Sequence, residues 1–503
     1  METETRAAPL TGDEYLESLR DAREIWIDGE RVPDVTTHAA FRNSARSIAR
    51  LYDALHDPSS RDVLVGRDRQ GILTHKFFKP AYSAEELLEA RDAIAAWARL
   101  TFGFMGRSPD YKAAFMATLG SAPEFYEPFA DNARGWYRRY AERCLFLNHV
   151  LVNPPIDRNR PIHEISDVYL HVVRERDDGM VVTGGKMLAT GSAVTHATFV
   201  AQNSAAHLEE GKAEDYALAF IADMDTPGQR LLCRPSYEAR AQSPFDDPLA
   251  SRFDENDAFV VFDEAFIPWE NVLVYRDVRK ATAFYPQSGF FNRYNLQAST
   301  RLAVKLDFMV GLLTKALAAN GTGEFRGNQT MLGEVVAWRN LAWAMTQAMA
   351  TDVQPAPGGA VVPRTEYATA ARMFATMSTP RVKEIFELVL GGSPLMIASS
   401  YRDLRSEELA PIFERFYRAS AGSGDERIKL FKLIWDTIGS EFGGRHELYE
   451  RNYSGNHEQI RIDALNFARN RGVVDDCVAA VDRCLADYDL EGWTDGPWTW
   501  DKG

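Results

Sequence analysis

The sequence contains few cysteines and no long apolar segment. The four cysteines are too scattered for a zinc site or a disulfide framework, and they are Cys144, Cys233, Cys477 and Cys484. No run of about 18 apolar residues occurs, so we expect no membrane-spanning helix. The N-terminus leads into no apolar stretch of the secretory type. We therefore expect a cytoplasmic protein with no metal site, no membrane partner and no thiol chemistry.

Two common nucleotide-binding motifs are also absent. No Gly-x-Gly-x-x-Gly follows an expected strand and no Walker A motif occurs, which argues against a Rossmann domain and a P-loop. Positive charge is in deficit, because 57 Lys and Arg residues face 72 Asp and Glu residues, for a net charge of −15. Such an acidic chain argues against nucleic acid as the main partner.

Hydrophobic periodicity divides the chain into three regions. Residues 1–153 are mainly helical in pattern, with Ser83 and Ser108 as N-caps of two helices. Residues 154–280 contain strand-like runs separated by turns. Residues 281–503 return to helical spacing, with separate helices expected over 366–377 and 381–390. The sequence thus predicts an α+β protein: an N-terminal helical domain, a central β-barrel or β-sandwich domain and a C-terminal helical bundle.

Arg107 and Tyr111 flank an expected helix start. Ser108 as N-cap and Pro109 as the first helical residue place Arg107 just outside the helix and Tyr111 in its first turn. A guanidinium beside the positive end of a helix dipole favours a bound anion or phenolate. The alternative is a surface arginine next to a packed tyrosine.

His149 lies at the junction between the first two regions. It ends an apolar stretch that we expect to be helical, and two prolines and an Asp-Arg pair follow within residues 154–158. A titratable imidazole at such a junction suits a cleft or a cofactor site, whereas the alternative is a purely structural hydrogen-bonding role. Thr190 and Ser192, on either side of Gly191, suit contact with the edge of a flat ligand or a plain turn.

Two polar segments are further candidates. Residues 202–215 connect two expected strands and form either an inert hairpin loop or a mobile lid. Residues 439–456 place two glycines before Arg445 and a polar turn before the next helix, which suits a pyrophosphate or nucleotide edge, or simple helix punctuation.

These segments together resemble one family, the oxygenase component of the two-component 4-hydroxyphenylacetate 3-hydroxylases. The resemblance runs from Gly12 to Thr494. Its most specific segments are 34–38, 51–56, 74–78, 107–115, 153–158, 251–257 and 441–450. The resemblance implies the acyl-CoA dehydrogenase architecture, which agrees with the helix–β–helix order.

The resemblance also implies a chemistry and partners. A separate flavin reductase makes FADH2, which diffuses to this protein and reacts with O2 to form a C4a-hydroperoxyflavin. Its distal OH is transferred to the carbon ortho to a phenolic hydroxyl, and the product is a catechol. The missing NAD(P)H motif fits this division of labour. The family further suggests a homotetramer or homodimer in which C-terminal helices contact a neighbour.

By resemblance, Arg107, Tyr111 and His149 surround the phenolic oxygen, with His149 as hydrogen-bond partner or base and Arg107 as electrostatic stabiliser. Ser204 and Ala205 match lid positions that hold the far end of the substrate. Residues that match the family's flavin contacts are His149, Val150, Leu151, Pro155, Ile156, Asp157, Arg158, Thr190, Ser192, Tyr453, Ser454, Gly455 and Asn456.

Asn203 departs from the family pattern, where a glycine is expected, and the loop after it is longer and more acidic. The substrate is therefore either a free 4-hydroxyphenyl acid or a tyrosine-derived phenol tethered to a carrier protein. One alternative is an acyl-CoA-type dehydratase or isomerase of the same fold. The dehydratase requires an iron–sulfur cluster, for which the cysteines offer no clustered ligand set. The other alternative is a non-catalytic flavin-binding protein.

Overall fold

The computed structural model describes residues 8–157, 159–202 and 208–496, with the backbone alone at 285 and 286. The first part of the chain contains α1 (Gly12–Ser18), β1 (Glu24–Ile27), β2 (Glu30–Arg31), α2 (Arg42–Ala54), α3 (Arg61–Leu64), β3 (Val65–Arg67), β4 (Leu73–His75), α4 (Ala84–Leu100), α5 (Pro109–Ser121) and α6 (Ala130–Arg143). The middle part contains β5 (Leu147–Val150), β6 (His171–Arg176), β7 (Gly179–Thr190), β8 (Ala197–Val200), β9 (Leu218–Asp223), β10 (Gln229–Cys233), α7 (Tyr237–Arg240), α8 (Ala250–Phe253), β11 (Asp257–Pro268) and β12 (Val272–Tyr275). The last part contains α9 (Val278–Gln287), α10 (Phe290–Ala319), α11 (Arg326–Thr351), β13 (Val353–Pro355), β14 (Val361–Pro363), α12 (Thr365–Leu390), α13 (Ala410–Phe416), α14 (Gly424–Ile438), α15 (Glu441–Asn452), α16 (His457–Asn470), α17 (Val473–Ala486), β15 (Tyr488–Asp489) and β16 (Gly492–Trp493).

The middle of the molecule is built from two sheets. One has six strands in the order β2-β1-β10-β11-β7-β6, and the other has four in the order β12-β9-β8-β5. β1 pairs with β10 and β5 pairs with β8 in parallel, and the remaining pairs of both sheets are antiparallel. Three strands from the first 153 residues therefore complete sheets made mostly by residues 171–275. The expected helix–β–helix architecture is confirmed.

The strand β5 corrects one expectation. The stretch that ends at His149 was expected to be helical, but Leu147–Val150 pairs with Ala197–Val200 as a parallel strand. Both faces of this strand are largely covered, and its sequence, Leu-Asn-His-Val, lacks the polar–apolar alternation of a half-buried strand. Its neighbour β8 is buried throughout for the same reason.

The C-terminal helices differ from expectation in length. Residues 366–377 and 381–390 belong to one helix, α12, and Pro380 lies inside it. The helix α10 begins at Phe290, whereas regular apolar spacing in the sequence begins only near Leu302. The spacing does not mark the true start of the helix, because the first turns bury polar side chains. These include Asn292, Asn295, Gln297 and Arg301, so the apolar period gives no signal there. Over the described ranges, no helix combines the length and apolarity needed to cross a bilayer.

Candidate functional site

The start of α5 holds Arg107 and Tyr111 as the sequence predicts. Ser108 is the N-cap and Pro109 the first helical residue. The backbone N–H of Arg107 donates to Glu255 Oε1 at 2.5 Å, which ties this turn to the segment that leads into β11. The Arg107 guanidinium carbon lies 3.7 Å from the centroid of the buried Tyr111 ring. Arg107 is half-buried against this ring, which argues against the alternative of a surface arginine.

His149 reaches the same place from β5. Successive side chains of a strand point to opposite faces, and Asn148 anchors one face by donating from Nδ2 to the hydroxyls of Thr195 (2.7 Å) and Thr198 (3.0 Å). The His149 ring points the other way and stacks on Tyr111, with centroids 5.6 Å apart and planes 21° apart.

One cavity joins these side chains. Its empty space, counted out into the open solvent at its mouth, is about 240 Å³, and its walls include Arg107, Tyr111, His149, Leu188 and Thr190. The fold thus brings together a helix start, a parallel strand and the end of β7. Three of the side chains are those that resemblance places around a phenol, and Thr190 is an expected flavin contact.

Burial governs the protonation of this cluster. It lowers the pKa of His149 well below the ordinary value, and the nearby charges of Lys112 and Arg107 lower it further. Burial raises the pKa of Tyr111 to about 12, although Arg107 opposes that shift. At neutral pH the cavity therefore contains a neutral imidazole, which accepts a proton, a phenol that donates one, and one permanent positive charge on Arg107.

A second cavity, with about 410 Å³ of empty space by the same measure, also borders Arg107 and Tyr111. Its walls are formed by α10, α12 and α15, and they include three side chains that sequence reasoning missed: Tyr294, Tyr449 and Glu450. The Arg107 guanidinium lies 5.3 Å from the Tyr449 ring centroid and 5.1 Å from that of Tyr453. The spacing of Tyr449 and Tyr453, four residues apart near the end of one helix, was the available signal.

A buried charge network supports the wall that contains Thr190. Asp257 accepts hydrogen bonds from Thr190 Oγ1 (2.5 Å) and the Tyr453 hydroxyl (3.1 Å), and it forms salt bridges to Arg234 (3.1 Å) and Arg445 (2.9 Å). The pairing of Arg445 with a carboxylate favours the second interpretation of residues 439–456, helix punctuation, over a pyrophosphate site. The two glycines before it lie inside α15 and form no anion-binding turn.

The expected flavin contacts fall into several environments. Gly191 has a φ of +72° and open space beside its α-carbon, where the atom nearest to an added Cβ is in Phe146, 4.0 Å away. Ser192 Oγ is buried and has no hydrogen-bond partner among the described residues. An unpaired buried hydroxyl costs about 1–3 kcal/mol, so a polar ligand atom at Ser192 would relieve that cost. The Thr190–Ser192 turn therefore fits a flat polar cofactor.

Of the other expected contacts, only Tyr453 and Ser454 border one of the two cavities within the described residues. Val150 and Leu151 are buried, whereas Pro155 and Ile156 are exposed and Asp157 is half-buried. Tyr453 and Ser454 line the larger cavity. Gly455 has a φ of +117°, and the Asn456 side chain accepts hydrogen bonds from the first turn of α16. Arg158, Ser204 and Ala205 lie outside the described residues.

Comparison with known proteins places the chain in a family. The model described as 4-hydroxyphenylacetate 3-hydroxylase N terminal matches residues 11–274, and its C-terminal counterpart matches residues 281–482. The pyoverdin chromophore biosynthetic protein PvcC of Pseudomonas aeruginosa is 56% identical over 98% of this chain and 99% of its own length.

Two further relatives differ in what they act on. One is a Streptomyces globisporus monooxygenase, 50% identical over 97% of this chain and 92% of its own length, that acts on (3S)-3-amino-3-(3-chloro-4-hydroxyphenyl)propanoyl bound to the peptidyl-carrier protein SgcC2. The other is a crystal structure of the oxygenase component (HpaB) of 4-hydroxyphenylacetate 3-monooxygenase complexed with FAD and 4-hydroxyphenylacetate. It superimposes with a TM-score of 0.89 at 30% identity and covers 95% of this chain and 99% of that chain. This chain therefore belongs to the 4-hydroxyphenylacetate 3-hydroxylase family of monooxygenases.

Proposed function

We propose that this protein is the oxygenase component of a two-component system, which takes FADH2 from a separate flavin reductase and hydroxylates a phenol at the ortho carbon to give a catechol. The observation that supports this most directly is the 240 Å³ cavity shared by Arg107, Tyr111, His149 and Thr190. It combines the groups that would bind a phenolic oxygen with an expected flavin contact.

The Thr190–Ser192 turn, with Tyr453 and Ser454 across from it, would hold the flavin. When bound, FADH2 would supply the two electrons that activate O2, so that one oxygen atom of O2 enters the ring and the other leaves as water. The protein's part is to place the phenol beside this cofactor and to exclude water, to which buried wall residues such as Tyr111 and Tyr449 would contribute.

The three residues around the phenol act on its proton and its charge. A free phenol has a pKa of about 10. The neutral His149 imidazole accepts the phenolic proton on a ring nitrogen, and the Arg107 guanidinium stabilises the phenolate that remains. Tyr111 keeps its own proton near neutral pH and donates a hydrogen bond. The charge left on the phenolate raises the electron density of the ortho carbon, which is the position to be hydroxylated.

The substrate class is a phenol with a para substituent, either free or tethered to a carrier protein. Among the relatives, the Streptomyces globisporus monooxygenase acts on a tethered phenol, and the solved 4-hydroxyphenylacetate 3-monooxygenase contains a free one. Both share the aromatic hydroxyl that Arg107, Tyr111 and His149 would bind.

A turnover assay tests the function. FADH2 is supplied by an unrelated reductase in the presence of catalase, and catechol formation is measured from phenolic acids and from carrier-tethered tyrosine derivatives. We expect a catechol from at least one class. Consumption of FADH2 to peroxide with no catechol from either would refute the proposal.

We also propose that α17 mediates self-association into a homodimer or homotetramer. Within the described range 208–496, α17 has no buried residue, although Val478, Val481 and Leu485 lie on one face and are each more than half exposed. Four- and three-residue spacings of this kind suit packing against another helix. Light scattering of Val481→Asp combined with Leu485→Glu should show a smaller assembly than the unmodified protein, and an unchanged mass would refute this.

A further inference from the structure

Asp257 determines which way the hydroxyls beside the cavity point. Thr190 Oγ1 lies 2.5 Å from Asp257 Oδ1, and the Tyr453 hydroxyl lies 3.1 Å from the same oxygen and 3.2 Å from Thr190 Oγ1. An ionised carboxylate only accepts hydrogen bonds. The single proton of Thr190 is therefore directed at Asp257, away from the cavity.

The carboxylate stays ionised because of its other partners. Burial opposes ionisation, but the guanidinium groups of Arg445 and Arg234 outweigh it and hold the pKa of Asp257 far below its usual range. Arg445 donates from Nε to Oδ2 (3.1 Å) and from Nη2 to Oδ1 (2.9 Å), and Arg234 donates from Nε to Oδ2 (3.1 Å). No proton is left on the carboxylate to return to Thr190.

The wall beside the catalytic cluster is consequently an acceptor surface. Thr190 lines the 240 Å³ cavity with Arg107, Tyr111 and His149, and it has only lone pairs available there. Tyr453 lines the 410 Å³ cavity, and its proton goes either to Asp257 or to Thr190, so its oxygen can offer a ligand only lone pairs. A ligand at this wall gains hydrogen bonds only through donor groups.

We propose that Asp257 is a positioning residue that makes Thr190 and Tyr453 select the reduced flavin over the oxidised flavin. The reduced isoalloxazine ring carries ring N–H donors that the oxidised ring lacks. Hydroxyl oxygens that only accept hydrogen bonds therefore stabilise the reduced form, whereas an unprotonated nitrogen of the oxidised ring would face a lone pair and form no hydrogen bond. This inference rests on the proposed use of FADH2 and concerns its recognition.

The substitution Asp257→Asn tests the direction of the hydrogen bonds. The amide nitrogen of the new side chain prefers the Oδ1 position, because only one guanidinium nitrogen faces that position and two face the other. From there it donates to Thr190, which frees the threonine proton to point into the cavity. The preference for reduced flavin should then fall about tenfold or reverse.

Thr190 provides the matched variants. Thr190→Val removes the hydroxyl in nearly the same shape and should lose about tenfold in the reduced-to-oxidised affinity ratio, whereas Thr190→Ser should retain that ratio. Thr183→Val is the control, because Thr183 lies on the same strand, accepts from the Glu264 N–H and lines neither cavity.

The measurement is binding without turnover. The dissociation constant of FADH2 is determined anaerobically by calorimetry, that of oxidised FAD is determined in the same buffer, and near-ultraviolet circular dichroism verifies the fold. Thr190→Val should change the ratio less in the Asp257→Asn background than in the unmodified protein, since Asp257 acts in part through the Thr190 hydroxyl. If Asp257→Asn does not fold, Tyr453→Phe with Thr190→Val decides the question.

Two results would overturn the inference. In the first, the unmodified protein binds FADH2, but neither Thr190→Val nor Asp257→Asn changes the ratio of its affinities for reduced and oxidised flavin. This result leaves the proposed function standing. The other is an unmodified protein that binds neither form of FAD, which contradicts the proposed function and this inference together.

Discussion

Replacement of His149 by alanine separates the chemical role of this residue from a structural one. The side chain extends from a parallel strand whose backbone pairs with Ala197–Val200, so the substitution leaves the main-chain ladder in place. The stack on Tyr111, at 5.6 Å, and the proton-accepting nitrogen are lost. Arg107 and Tyr111 stay on the cavity wall.

The size of the effect follows from the remaining groups. A positioned general base contributes about 10²–10⁴ in rate, and Arg107 continues to stabilise a phenolate without it. We therefore expect catechol formation to fall about 10²–10³-fold, equivalent to about 2.7–4 kcal/mol of barrier at 1.36 kcal/mol per tenfold change. FADH2 binding should change less than about threefold, because the turn with Thr190 and Ser192 is untouched.

The assay measures catechol and hydrogen peroxide per FADH2 consumed. His171→Ala is the matched control. Like His149, His171 is a half-buried histidine on a strand, and its ring stacks on that of Tyr216 with centroids 5.2 Å apart. Unlike His149, it lines neither cavity. Since the pKa of His149 is lowered, its imidazole stays neutral between pH 8 and 6.5. Product formation should therefore show no loss from protonation of His149 over this pH range. Equal losses of catechol formation and FADH2 binding would refute the reasoning, as would a product loss no larger than that of His171→Ala.

Three other outcomes follow from the structure. Arg107→Lys keeps the charge but loses the planar group stacked on Tyr111, so catechol yield should fall about tenfold or more; an unchanged yield contradicts this. Glu450→Gln leaves buried Arg301 without its carboxylate, so the free energy of unfolding measured in denaturant should fall by about 3–5 kcal/mol. The control Glu447→Gln, at a more exposed glutamate, should lower it by less than about 1 kcal/mol. Equal losses in the two variants would contradict this prediction. Burial lowers the pKa of His75 to about 3, so this residue should lower the free energy of unfolding by about 1.4 kcal/mol for each pH unit below pH 6.5. If His75→Gln leaves the dependence of that free energy on pH unchanged in this range, the prediction is wrong.

The sign of the His75 effect follows from proton binding. The unfolded chain takes up a proton at this residue near pH 6.5, whereas the folded chain does so only near pH 3. Between these values the unfolded state binds more protons, so acid favours unfolding. The contribution is complete above pH 6.5 and is lost as the pH falls toward 3.

Local signals were sufficient where one segment determines its own structure. The N-cap at Ser108 follows from residues within a few positions, and it correctly placed Arg107 and Tyr111. The strand β5 was missed because its pairing partner lies about 50 residues away and a short buried strand lacks a distinguishing period. Two helices were expected over 366–377 and 381–390, but the structure joins them in α12, with Pro380 inside that helix.

The supporting network was beyond sequence reasoning for a different reason. In the sequence, Asp257 and Arg234 are ordinary charged residues and Arg445 belongs to a candidate ligand-binding segment. Only the fold brings the three together with Thr190 and Tyr453. The 251–257 segment was recognised as specific, but specificity alone does not say which atoms meet. Contacts of this kind depend on tertiary packing, which no window of the sequence contains.

The strand β1 has a consequence for synthesis on the ribosome. Glu24 of β1 pairs with Arg230 of β10, and the two are separated by 206 positions. At about 5–20 residues per second, β1 is exposed for roughly 10–40 s before its partner is made. Its unpaired edge is open to wrong partners during that interval. Nascent chains should therefore need a holding chaperone until residue 233 has emerged, and a fragment of residues 154–280 made alone would lack three strands of its sheets.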